Sequence, residues 1–212
     1  MATQVQLRRG TDSQHTSFTG AVGEITVNTT NDSAHVHDGA TAGGFELARA
    51  DGQNANMPAS AMPAGSVIQV VQTVKRDTAS TTSSSFSSIP GMDVSITPIS
   101  TSSKILITVS ISTTNIGVVN QNDALKLSRN GSSINNATGS SGTPMTLFVR
   151  NQDTNAFEVS SITYLDNPGT TSATTYGVLF AAFSGGTMSV NNEGSGLDAR
   201  PISTITAMEI AG

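Results

Sequence analysis

At 212 residues with a formal net charge of −5, no cysteine and only 12% charged side chains, this chain departs from the ordinary soluble domain, in which about a quarter of residues are charged. Ten Lys and Arg against fifteen Asp and Glu argue against nucleic acid as a partner, because a phosphate-binding surface needs clustered cations. No disulfide framework can form, no run approaches the roughly 20 apolar residues of a membrane span, and no apolar signal core follows the first basic residues, so membrane insertion and export by a signal peptide are not expected.

The polar remainder is mostly Ser, Thr, Asn and Gly, the composition of strands and turns. Along the chain, Leu7-Arg8-Arg9-Gly10-Thr11 comes first. Alternation over residues 23–29 then sets Ile25 and Val27 on one face and Glu24, Thr26 and Asn28 on the other, the period of a half-buried strand. Asn31-Asp32-Ser33 is turn chemistry, residues 34–37 read as the returning strand, and Asp38-Gly39 is a hairpin or bulge signal because glycine accepts a positive φ. Gly43-Gly44 closes the unit. Segments below roughly 40 to 50 residues rarely bury enough surface to fold unaided. With no cysteine to staple it, this one is expected to fold against copies of itself.

These three motifs in this order (residues 7–11, 23–27 and 36–45) resemble the N-terminal module of phage tail-fibre and tropism-determinant proteins, over about residues 5–49. The resemblance implies a virion-attached, trimeric fibre protein. It also implies attachment residues at Leu7, Arg8, Arg9, Gly10, Thr11, Gly23, Glu24, Asp38 and Gly39.

Residues 51–65 carry two Met-Pro pairs and no period of either kind. Proline drives the residue before it toward extended geometry, so an extended neck is expected there. From Ser66 to Gly212 the pattern is strand, turn, strand. The runs are 67–74, 92–98, 104–112, 125–128, 145–149, 159–165, 175–183, 187–191 and 203–210. Lys104 to Ser112 is the clearest, with Ile105, Ile107, Val109 and Ile111 on one face, and Asn130-Gly131 is the strongest hairpin signal. Ile89-Pro90-Gly91 reads as a turn, and residues 79–88 as a low-complexity stretch. Eight to ten short strands with no amphipathic helical window predict an all-β chain: a small β-rich trimerisation and attachment module (1–50), an extended neck (51–65) and a β-sandwich, jelly-roll-like head (66–212).

Within the head, residues 103–107, 127–131, 164–168 and 174–176 and the ending 203–210 resemble C-terminal domains of structural proteins of marine and cyanobacterial phages. The strand order also resembles the trimeric jelly rolls of complement-type heads and tumour-necrosis-factor-like proteins. That second likeness concerns architecture, which carries no function by itself.

His35-Val36-His37-Asp38 is the one metal-like cluster, since histidines two apart on a strand point to the same side and three chains could supply a ring. The alternative, surface strand histidines, is preferred, and no metal or other cofactor is expected. Glycan cleavage needs a carboxylate pair with separated pKa values, whereas Asp77, Asp93, Asp123, Asp153, Glu158, Asp166, Glu193 and Asp198 are scattered through turns. No nucleophile elbow, phosphate loop or dinucleotide fingerprint occurs, so an enzyme is not expected. Arg8 and Arg9 could dock a virion protein, bridge to Glu24 of another copy, or be simply solvated. Candidate receptor loops are those bearing Asn120, Asn122 and Asp123, Asn135 and Asn136, Asn151 and Asp153, and Asn191 and Asn192. Amides suit glycan hydroxyls, although turns favour these residues in any case.

The sequence thus reads as a phage virion structural protein: a short homotrimeric tail fibre, made in the host cytoplasm, held to other virion proteins by its N-terminal module. Its head is expected to bind a host surface glycan or protein without catalysis. The alternative is a capsid-attached fibre or decoration protein, and a third reading is a glycan depolymerase.

Overall fold

The computed structural model describes residues 6–48, 61–137, 145–150, 155–194 and 200–212. The chain divides into two compact units, Met1–Met57 and Pro58–Gly212.

In the first unit, β1 (Arg8–Gly10), β2 (Ile25–Asn28), β3 (Ser33–Val36) and β4 (Phe45–Glu46) form one sheet in that order. β1 runs parallel to β2, and the other pairs are antiparallel. A single helical turn, α1 (Asp12–His15), follows β1. Asp32 at the β2–β3 turn and Gly39 after β3 both take positive φ, 52° and 81°, as the turn chemistry predicts.

The sidedness of this sheet is the reverse of the expected one. Thr26, Asn28, Ser33 and His35 are buried, while Ile25 is 43% exposed and Phe45 57%. The alternation is as read, but the face turned inward is the polar one. His15, Thr26 and His37 bond to one another on that face and hold residues 11–20 over it, so hydrogen bonds do there what apolar packing does in an ordinary core.

The second unit is a β-sandwich. One sheet is ordered β10 (Ser132–Ile134), β9 (Asp123–Arg129), β13 (Thr174–Ala182) and β7 (Ser87–Ile96), with β11 (Leu147–Val149) also on β9. The other is ordered β5 (Val67–Lys75), β15 (Ser203–Ile210), β8 (Lys104–Ile116), β14 (Thr187–Val190) and β6 (Ala79–Thr81), with β12 (Phe157–Asp166) on the far edge of β8. Inward residues of both sheets make one core: Ile105, Ile107, Val109, Ile111 and Ile205 from one, Met92, Val94, Leu125, Leu127, Tyr176 and Phe180 from the other.

Two local features differ from the sequence reading. Ile89-Pro90-Gly91 lies inside β7 and not at a turn between strands, because Gly91 (φ 72°) lets the strand bend and continue. The low-complexity stretch contributes β6, which pairs with β14. Much of the expected neck lies outside the described residues. Its last residue, Gly65, donates its N–H to the Ala211 carbonyl at 2.8 Å and is bonded into the head.

Candidate functional site

The residues of the N-terminal motifs converge on one hydrogen-bonded centre. The Gly20 N–H can only donate, so His37 Nδ1 accepts it at 3.2 Å and His37 Nε2 carries the proton. That N–H meets Thr26 Oγ1 at 2.9 Å, and the Thr26 hydroxyl in turn reaches His15 Nε2 at 2.9 Å. His15 Nδ1 then donates to the Thr11 carbonyl at 3.1 Å. These hydrogen bonds engage both nitrogens of each ring and fix the two rings around Thr26.

His35 completes the layer. Its Nδ1 lies 2.8 Å from the Gly43 carbonyl, and its ring is 4.7 Å from that of His15. His35 and His37 share a face, as the spacing requires, yet they are buried and not the surface residues expected. Both ring nitrogens of His37 are engaged in hydrogen bonds, and Nδ1 of His35 is likewise committed.

The residues for which the resemblance implies attachment lie in this same module. Arg8 lies over the Phe18 ring at 4.8 Å and pairs with Glu24 at 3.2 Å, a bridge within one chain. The second oxygen of Glu24 accepts the Ala21 N–H at 2.9 Å. The Gly10 carbonyl takes the Thr29 N–H at 2.9 Å, and the Thr11 N–H goes to Gln14 Oε1 at 2.9 Å. Asp38 accepts the N–H groups of Thr41 and Ala40 and the Thr41 hydroxyl, at 2.7, 2.9 and 2.8 Å. These donors hold its carboxyl down at about 2. Gly39 lies so close to Val22 that an added Cβ would sit 2.8 Å from its side chain. Leu7 and Arg9 are exposed. A cavity of about 170 Å³ opens beside Arg8, Gln14, His15 and Phe18.

The candidate receptor loops of the head fare differently from one another. Asn120 and Asn135 are exposed, each at positive φ. Asn122 is tied to Ser184 and Phe183, Asn136 to Ser133 and Asn192 to Gly194, so these contacts fix local turns. Asn151 and Asp153 lie outside the described residues.

Asn191 and Asp123 are fully buried and present nothing to a partner, contrary to expectation. Asn191 donates to the carbonyls of Lys75 and Asp77 and accepts the Ser203 hydroxyl at 2.7 Å. It is the knot between the ends of β5, β14 and β15.

Asp123 begins β9 on its inward face, opposite Ala182 and Val149. One carboxyl oxygen takes the Gln121 amide at 2.5 Å, and the other has no hydrogen-bond partner among the described residues. Burial pushes its pKa up to about 6, against the smaller opposing effect of Gln121. A carboxyl whose folded pKa exceeds its unfolded value contributes its stabilisation below the unfolded pKa, near 3.8, and loses it as pH rises through the folded one. Head stability is therefore expected to fall by up to about 3 kcal/mol between pH 4 and 6 from this group. Asp123→Asn should flatten that slope and raise the melting temperature at pH 7, as read by thermal unfolding across pH.

Three head motifs singled out in the sequence meet in one place. The Tyr176 hydroxyl donates to Asp166 Oδ2 at 2.7 Å and Arg129 Nη1 donates to the same oxygen at 2.8 Å. Burial, then the Asp166 carboxylate, pushes the Tyr176 hydroxyl above its ordinary range. The Thr175 N–H goes to Asn130 Oδ1 at 2.9 Å, and the Asn130 N–H returns to the Thr175 carbonyl at 2.7 Å. These contacts clamp β9, β12 and β13 together.

Residues 5–41, within the module just described, match the family model for the major tropism determinant N-terminal domain. The tail fiber receptor-binding protein of Bordetella phage BPP-1 is 63% identical over 51 residues, which make up 24% of this chain and 13% of that protein. The solved P3c variant of the major tropism determinant is 64% identical over 22% of this chain and 12% of its own, with a TM-score of 0.22. The VP2 protein of infectious bursal disease virus aligns with 68% of this chain and 36% of its own at 12% identity, with a TM-score of 0.32. The chain spans about an eighth of the length of the curated relative it matches.

Proposed function

We propose that this chain is a phage virion fibre, anchored through residues 1–50 and binding the host cell surface, a glycan or a protein, through its β-sandwich head, as a homotrimer and without catalysis. The observation that carries this reading is the identity of the N-terminal segment to a tail fiber receptor-binding protein.

The inverted module supports the oligomer. Ile25, Val36 and Phe45 line up across β2, β3 and β4 on the outward face, with Val27, Ala34 and Leu47 beside them. An apolar row of this kind is stabilised only when something covers it, and further copies supply an identical face. Three weak head sites would then combine through avidity.

Light scattering of the purified chain should give a mass near three copies. The same protein should label host cells, compete with phage adsorption and leave host polysaccharide uncut. Failure of the intact oligomer to bind cells would favour a capsid-attached fibre, and new reducing ends in the polysaccharide would favour a depolymerase.

A further inference from the structure

The outward face of the six-stranded sheet carries no charge over three successive rows. Val70, Met208, Leu106 and Leu165 lie side by side across β5, β15, β8 and β12, with Val70 56% and Leu165 48% exposed. The next row is Gln72, Thr206, Thr108 and Thr163, in which the Gln72 amide bonds the Thr206 hydroxyl at 2.8 Å. The third row runs from Val74 through Thr204 and Ser110 to Ser161. The opposite sheet is built otherwise: Asp93 and Lys126 stand on its outward face, opposite Gly177 and Leu179 of β13.

Strand edges are ordinarily protected by charge, proline or bulges. The outward residues of β12 from Val159 to Leu165 carry neither charge nor proline, and among the described residues β12 pairs with β8 alone. We propose that this face packs against other copies of the same chain and forms the inter-subunit surface of the head. An uncharged surface is matched best by another uncharged surface, since a charged partner would lose hydration without gaining a counter-charge. Each further copy brings such a face at equal stoichiometry.

Four strands about 4.8 Å apart and three rows about 6.7 Å apart give a patch of roughly 400 Å². A standard interface buries about 800 Å² per partner, so this face holds neighbours that are also joined elsewhere. The inference therefore rests on the self-assembly proposed above, and deepens it by naming the surface.

The absence of cysteine makes a direct test possible in the full chain. Thr163→Cys places a single thiol on this face and Ser95→Cys one on the outward face of the opposite sheet; both positions are exposed in the single chain. In the assembled protein a maleimide should label Cys at 163 at least about tenfold more slowly than Cys at 95, and equally fast after denaturation. Should Thr163→Cys fail to fold, Ser161→Cys replaces it. Equal labelling of both sites in a protein whose mass is that of an oligomer overturns this surface and leaves the proposed function standing. A monomer by light scattering removes the oligomer and this surface together.

Discussion

Ile107→Asp is expected to abolish soluble protein. Ile107 is fully buried on β8 between Ala207 of β15 and Tyr164 of β12, and its inward neighbours are the apolar residues of the shared core. A carboxylate placed there has no counter-charge, and its burial costs several kcal/mol, a large part of the roughly 5–15 kcal/mol that holds a domain folded. Thr108→Asp, one residue on, points outward. It should leave a folded head whose melting free energy falls by no more than about 1 kcal/mol, while weakening assembly through the uncharged face. Expression, circular dichroism and light scattering separate the two effects. Equal loss of soluble protein from both variants would show that β8 needs its outward face covered in order to fold.

The head was legible because its strands obey one rule. In the first half of β8 the buried Ile105, Ile107, Val109 and Ile111 alternate with the more exposed Leu106, Thr108 and Ser110. The Asn130-Gly131 pair forms the expected two-residue turn, with φ of 49° and 79° and Ser132 directly opposite Arg129. Pro90-Gly91 misled because the residues that end strands also make bulges. Asn191 and Asp123 misled for a related reason: a short polar side chain at a strand end serves equally well as an exposed loop residue or as a buried tie between strands. Composition cannot distinguish these, since the difference lies in what the residue meets across the fold, here Lys75 and Ser203 for Asn191.

In the N-terminal module the alternation was legible and its sense was not. The usual inference that the apolar face turns inward assumes that apolar area outweighs what the other face can do. Here the other face holds His35, with His15 and His37 beside it, around a shared threonine. Aromatic rings with two polar atoms each supply bulk as well as bonding, and Phe18 closes the layer edge-on against His37 at 5.2 Å. The sequence signal that could have revealed this is the placement of His15 and His37, each eleven residues from Thr26.

Thr26→Val should unfold the module while leaving the head intact. Valine keeps the size of threonine but removes the hydroxyl that accepts from His37 Nε2 and donates to His15 Nε2. Thr26 and both histidines are buried, so a donor and an acceptor would be stranded away from water. Each costs about 1–3 kcal/mol, and a total of roughly 2–6 kcal/mol is large for a segment that buries few apolar side chains. Thr26→Ser keeps the hydroxyl and should stay close to the parent, losing only the packing of one methyl. Hydrogen exchange read peptide by peptide distinguishes the outcomes: amides of β2 and β3 should lose protection in Thr26→Val and keep it in Thr26→Ser, with the amides of β8 and β15 unchanged in both. Light scattering should show the Val variant losing mass, because the outward row of Ile25, Val36 and Phe45 depends on the sheet beneath it. Full protection of β2 and β3 in Thr26→Val would mean that packing between the rings, and not the relay of protons through Thr26, holds the inverted module together.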